Sequence, residues 1–202
     1  MDDWGLARPS DLFGPATNRP LKSEIIELVG PHLRVSGTIS LIRFPRLSDL
    51  VNHSRGYLRL TEAQLLRRNG DPTGLYVQDL MVSLDEVTFV GQRPEEVRSD
   101  KSGLIGGMDR PLMERVLRQL VIFTPGHTLV GGVHMFAETE IDAFVESTDP
   151  RFVPMIDVTA RSLADRRVIS HFALALVNRT QITAASLLEQ AGTAAETGMD
   201  VD

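Results

Sequence analysis

The sequence predicts a mainly β protein of α+β class. It reads as two tandem ββαββ units related by a pseudo-twofold axis and forming a small antiparallel barrel or sandwich. Three observations predict this: an internal repeat, strand-like alternation of apolar residues, and a glycine interrupting that alternation at the same place in each copy. A chain of 202 residues is long enough to bury one large core or two small ones.

The repeat is carried by pattern more than by identity. Residues 29–54 lie over residues 123–148 without a gap, pairing Pro31 with Pro125, Gly37 with Gly131 and Val51 with Val145. Apolar positions agree at Val35 and Leu129, Ile39 and Val133, Leu41 and Met135, Leu47 and Ile141, and Leu50 and Phe144. After one inserted residue, Asp149, the stretch from Tyr57 lies over that from Phe152. The stretches from Met81 and Leu174 then share an apolar rhythm around an Asp-Glu or Asn-Arg corner.

Residues 1–21 hold Trp4, Phe13 and several prolines, and read as an extended N-terminal arm docked by those aromatics. The first unit spans 22–91. Residues 24–29 are apolar and β-branched, Gly30-Pro31-His32 marks a turn, and residues 33–42 alternate as a strand with one buried face. Gly37 and Gly131 break that face, as a bulge or a close backbone approach would require. Leu47, Leu50 and Val51 form one apolar stripe on a helix of about two turns. Ser48 and Asp49 are expected to satisfy its first-turn amides, and Asn52 to cap its far end.

Residues 57–66 read as a strand, residues 67–74 as an exposed hairpin tip, and residues 75–90 as one long strand bending near Asp85. Residues 92–111 read as a linker ending in Asp109-Arg110-Pro111, a helix start continued by Leu112, Val116, Leu117 and Leu120. The second unit, 112–184, repeats the scheme, with Thr139 and Asp142 spaced as a helix cap and its acidic partner and strands over 152–160 and 168–183. Residues 185–202 read as a disordered acidic tail.

Charge is distributed unevenly. Residues 22–68 carry 8 Lys plus Arg against 4 acids, whereas residues 69–111 carry 4 against 8, within a chain of net charge -6. The exposed contact set this suggests is Arg43, Arg46, Arg55 and Arg59, whose guanidinium forks suit carboxylates and phosphates. Single-stranded nucleic acid is a conceivable ligand, but 5% aromatic residues offer few stacking platforms and the net charge is acidic, so it is disfavoured. The favoured partner is another protein or a second copy of the chain.

Chemistry finds little support. His127 and His134 are seven apart, on opposite faces of one strand, and cannot share a metal from there. Asp49, His53 and Ser54 have the residue types of a hydrolytic triad without a nucleophile elbow, and Gly103, Gly106 and Gly107 lack phosphate-loop spacing. With Cys 0, thiol catalysis and thiolate zinc sites are excluded. The expectation is a non-catalytic cytoplasmic module with no metal, no cofactor and no membrane association, since no apolar run approaches roughly 18 residues.

Gly37-Thr38-Ile39, then residues 46–52 from Arg46-Leu47-Ser48-Asp49 to Asn52, then residues 57–63 from Tyr57 to Thr61-Glu62-Ala63, resemble a family of small bacterial domains of unknown function. That pattern is a glycine-threonine strand, an Arg-Leu-Ser-Asp-x-x-Asn helix and an aromatic-led strand ending in Thr-Asp or Thr-Glu. Asn178 and Arg179 ahead of Ile182 resemble the pair in the family's final strand. The likeness covers roughly 65 residues in each half and is degenerate in the second helix. It implies architecture, two divergent copies of one domain, with Gly37, Ser48, Asp49, Asn52, Gly131 and Asn178 as its structural positions.

Overall fold

The computed structural model describes residues 22–94, 115–164 and 168–188. The expected N-terminal arm, the helix start at Asp109 and the chain beyond 188 lie outside the described residues. Ten strands and two short helices follow in order: β1 (Ser23–Val29), β2 (Arg34–Ser40), α1 (Leu47–His53), β3 (Tyr57–Leu66), β4 (Pro72–Ser83), β5 (Phe89–Gln92), β6 (Arg115–Thr124), β7 (His127–Phe136), α2 (Ile141–Glu146), β8 (Phe152–Ser162), β9 (Val168–Asn178) and β10 (Ala184–Leu187). A 3-10 turn, Arg179–Gln181, separates the last two strands.

All ten strands join one antiparallel sheet in the order β10-β6-β7-β8-β9-β5-β1-β2-β3-β4. The sheet is open. Its ends, β4 and β10, are not paired to each other, so among the described residues the expected barrel or sandwich is replaced by a single open sheet.

Two expected elements are corrected. The strand expected over 75–90 is two strands, because the chain turns at Leu84: Glu86 N donates to Ser83 O at 3.2 Å and Asp85 N to Ser83 Oγ at 3.3 Å. After that corner, β5 leaves β3 and β4 and pairs with β1 through Glu27 with Gly91 and Val29 with Phe89. The strand expected over 168–183 ends at Asn178, and β10, which takes in residues 185–187 of the expected disordered tail, returns to β6 through Ala184 with Phe123. Each half therefore has a fifth strand that ββαββ omits. The helix read through Val116, Leu117 and Leu120 is also wrong, since these residues lie in β6, where Leu120, Ile122 and Thr124 alternate inward. Apolar residues three and four apart fit both periods over so short a stretch.

Gly37 and Gly131 stand opposite bulges in the neighbouring strands. The β2·β3 register shifts between Ser36 and Thr38, and the β7·β8 register between Val130 and Gly132. The extra residues are in β3 and β8, where Glu62 (φ 52) and Asp157 (φ 50) take left-handed backbone. A Cβ on Gly131 would come 2.7 Å from Ile156 O, and one on Gly37 3.1 Å from Leu60 Cβ. Each bulge brings the neighbouring strand close to the glycine and needs a bare Cα opposite it.

Two apolar cores result. The first gathers Ile26, Leu28, Val35, Leu58, Leu60 and Val82 under Leu47 and Val51 of α1, and also takes Phe152 and Leu176 from β8 and β9. The second gathers Ile122, Leu129, Met155 and Phe172 with Phe144 of α2, and takes Val29 and Phe89 from β1 and β5. Each core thus contains side chains from the other half, and fully burying each of these stabilises by roughly 1.5–3 kcal/mol. No helix among the described residues is long and apolar enough to cross a membrane.

Candidate functional site

The predicted arginines lie around α1 and on the strand that follows it. Arg43 precedes the helix, Arg46 is its N-cap with extended backbone (φ -137, ψ 152), and Arg55 follows its C-cap; all three are exposed. Arg59 is exposed on β3 and paired to Asp79 on β4 through two bonds, at 2.8 and 3.0 Å. A guanidinium held by a facing carboxylate presents little net charge to an anion, so the four do not act as one basic patch.

The capping roles need revision. Ser48 and Asp49 lie inside α1 beyond the Arg46 cap, and the far end is closed by Ser54, whose N and Oγ both donate to Leu50 O. His53 Nδ1 lies 2.7 Å from the main-chain O of Asp49 and Ser54 Oγ donates to Leu50 O, so the His53 and Ser54 side chains are engaged by helix carbonyls. In α2 the N-cap is Glu140, one residue after Thr139, and Asp142 Oδ1 accepts from Ala143 N.

Asn52 reaches out of its own half. Its Nδ2 donates to Ser48 O and to Phe152 O, each at 3.0 Å, and its Oδ1 accepts from Phe152 N at 2.7 Å. Asn178, fully buried, answers from the opposite side: Nδ2 donates to Leu84 O and Val87 O, and Oδ1 accepts from Thr180 N and Oγ1. Arg151 Nη2 adds bonds to Leu84 O and Asp85 Oδ1. Asn52 thus locks α1 to the start of β8, and Asn178 locks the corner after β4 to the end of β9.

A buried ionic cluster escaped the sequence reading. Glu27 on β1 and Arg34 on β2 are 2% and 5% exposed. Arg34 Nε meets Glu27 Oε1 at 2.5 Å, Nη1 donates to Arg68 O at 2.7 Å and Nη2 to Ser170 Oγ at 2.5 Å. Arg93 Nη2 binds the second Glu27 oxygen at 2.9 Å. The fork therefore ties the 67–71 hairpin tip and β9 to the β1·β2 pair. Gly70 (φ 91) lies over it, where a Cβ would be 3.0 Å from Arg34 Nη2. His127 stands edge-on to Phe89 at 5.8 Å, and burial together with the Arg34 and Arg68 charges pushes its pKa down to about 4. Glu27 and Arg34 are seven apart in sequence, and nothing short of the strand register places them side by side.

The other feature that stands out is the open edge at β4. Its 12 residues include one charge, Asp79, already held by Arg59. Leu75, Tyr76 and Met81 on β4 and Tyr57 on β3 are 56, 55, 59 and 58% exposed. Natural sheets blunt such edges with charge, proline or a cover; β4 has Pro72 and positive-φ Gly74 at its start and an unblunted run from Tyr76 to Ser83. In comparisons with family models, curated proteins and solved structures, nothing matches this chain.

Proposed function

We propose that the chain is a non-catalytic tandem β module of the cytoplasm that mediates protein–protein interaction or assembly, built from two divergent copies of one domain. The observation that carries the interaction reading is the β4 edge: a strand margin with one charge, Asp79, paired to Arg59, that can accept another strand by backbone hydrogen bonds, with exposed Leu75, Tyr76 and Met81 to select it.

The duplication is supported position by position. Leu84 N donates to Gly56 O at 2.7 Å, and Arg179 N to Arg151 O at 2.8 Å, in corresponding places. Tyr57 faces Ser83 as Phe152 faces Asn178, and Glu62 and Asp157 are the two left-handed bulge residues. The bacterial domain family that the first half resembles fits the same frame.

The test is affinity capture from an extract of the native cell with wild type, Met81→Lys, and a variant carrying Arg43, Arg46, Arg55 and Arg59 changed to Glu. Loss of bound protein with Met81→Lys supports the edge. Loss only with the arginine variant moves the contact to α1. A second reading, binding of an anion or a single nucleic-acid strand, is favoured by the exposure of Arg43, Arg46 and Arg55 around one helix; retention on a filter that falls steeply between low and high salt would select it.

A further inference from the structure

We infer that β4 takes β10 of a second copy of this chain as its next strand, and that β10 reciprocally takes the second copy's β4. The inference rests on the tandem reading above, because the chain already contains one example of the pairing. Inside the molecule, β9 offers its free edge to β5, with Val177 facing Phe89, Leu176 facing Val90, Ala175 facing Gly91 and Leu174 facing Gln92. The corresponding strands are β4 for β9, where the Arg59–Met81 and Pro154–Leu176 pairs match Met81 to Leu176, two residues beyond the Leu174 that the sequence pattern pairs with it, and β10 for β5, through their pairing with β6 and β1. Among the described residues, neither edge is paired to another strand.

Burial shows what the seam does. Phe152 and Leu176 are 0% exposed, covered in the first core, while Tyr57 and Met81, in the matching places, are 58 and 59% exposed. The first half thus carries the apolar half of a seam whose complement is missing. Transferring the internal register sets Val82 against Ala184, Met81 against Ala185, Leu80 against Ser186 and Asp79 against Leu187 of the second copy. The small residues of β10 leave room for Met81 and Tyr57. Neither edge opposes like charges, since Ala184–Leu187 is uncharged and Asp79 is held by Arg59. A twofold dimer with two such seams leaves neither β4 nor β10 of either copy open.

The experiment uses the full chain, which has Cys 0, so that introduced thiols are unambiguous. Sedimentation of wild type is expected to give a dimer, and Met81→Lys a monomer that keeps the wild-type circular dichroism spectrum, because the side chain is exposed within a single copy, and melts below wild type because the stabilisation by association is lost. Facing residues of an antiparallel hydrogen-bonded pair have Cα atoms about 5.5 Å apart, within disulfide reach. Mixing Met81→Cys with Ala185→Cys under mild oxidation should therefore yield a crosslinked pair containing one of each. A monomeric wild type overturns the inference, as does Met81→Cys crosslinking chiefly to itself, which would mean β4 against β4. A double Met81→Cys, Ala185→Cys chain that closes a disulfide at monomer mass also overturns it, because β4 would then meet its own β10. A monomer from which Met81→Lys strips a different captured protein defeats the second copy but leaves the interaction reading standing. A monomer that captures the same proteins with and without Met81→Lys and with the arginine variant defeats both.

Discussion

Arg34 and Arg59 show how differently two arginines of one basic segment are used. Arg59 meets Asp79 in water, where an ion pair is worth about 0–1 kcal/mol, so Arg59→Ala is expected to leave the urea midpoint within about 0.5 kcal/mol of wild type. Arg34 is enclosed. Arg34→Met would leave Glu27 buried with only Arg93 against it and remove the donors to Arg68 O and Ser170 Oγ. Breaking a buried pair in this way costs about 3–5 kcal/mol, and urea titration at pH 7 should show a loss of that order. His127, beside the same cluster, gives a pH signature. Its folded pKa of about 4 lies below the ordinary imidazole value of 6.5, so the unfolded chain binds the extra proton first as pH falls. Its contribution is complete above pH 6.5 and is lost on acidification toward pH 4, by at most about 3 kcal/mol and by less because the ring is partly exposed to water. His127→Gln should flatten the fall in stability between pH 7 and pH 4.5 relative to wild type; an unchanged slope would remove His127 from the account.

At the scale of the element, the two bulges set the ranking of glycine substitutions. Gly131→Ala drives a Cβ to 2.7 Å from a carbonyl oxygen, a backbone atom that cannot rotate away, whereas Gly37→Ala meets its nearest neighbour, Leu60 Cβ, at 3.1 Å. Overpacking of this kind costs about 1–3 kcal/mol, and thermal melting should place Gly131→Ala below Gly37→Ala. Asp157→Gly, which relieves left-handed backbone in the same bulge, should raise the melting temperature. How far the elements were legible follows from the physics of each. Alternation and an interrupting glycine are local, so β2, β7 and both helices could be read from the sequence, whereas the bulges lie opposite the glycines, at Glu62 in β3 and Asp157 in β8, where no local signal marks them. The corner after Ser83 was read only as a bend, since its turn bonds involve ordinary residues, and whether a strand continues or leaves is decided by which edge is free to receive it. The period of β6 was misread because its apolar residues also satisfy a helix. Glu27 and Arg34 were invisible as a pair because sheet register, not sequence spacing, brings them together.

For the whole molecule, the question is whether two similar halves behave as one cooperative unit. Their cores are interleaved: Phe152 and Leu176 sit in the first, Val29 and Phe89 in the second, and β5·β9 pairing runs between them. Asn52 and Asn178 add polar bonds across the same boundary, and Asn178 does so with 0% exposure. Asn178→Ala would strip Val87 O of the Asn178 donor and leave Leu84 O to Arg151, and a buried group left unpaired in this way costs about 1–3 kcal/mol. Asn52 is half-buried, so water can replace part of what Asn52→Ala removes, and its cost is expected to be about 1–2 kcal/mol. Since the lost bonds join the halves, both substitutions should lower amide-exchange protection in β2 and in β7 together, and circular dichroism should still show a single urea transition. Protection lost in only one half, or a transition that splits in two, would mean that the halves fold independently and that the asparagines merely close the turns beside them.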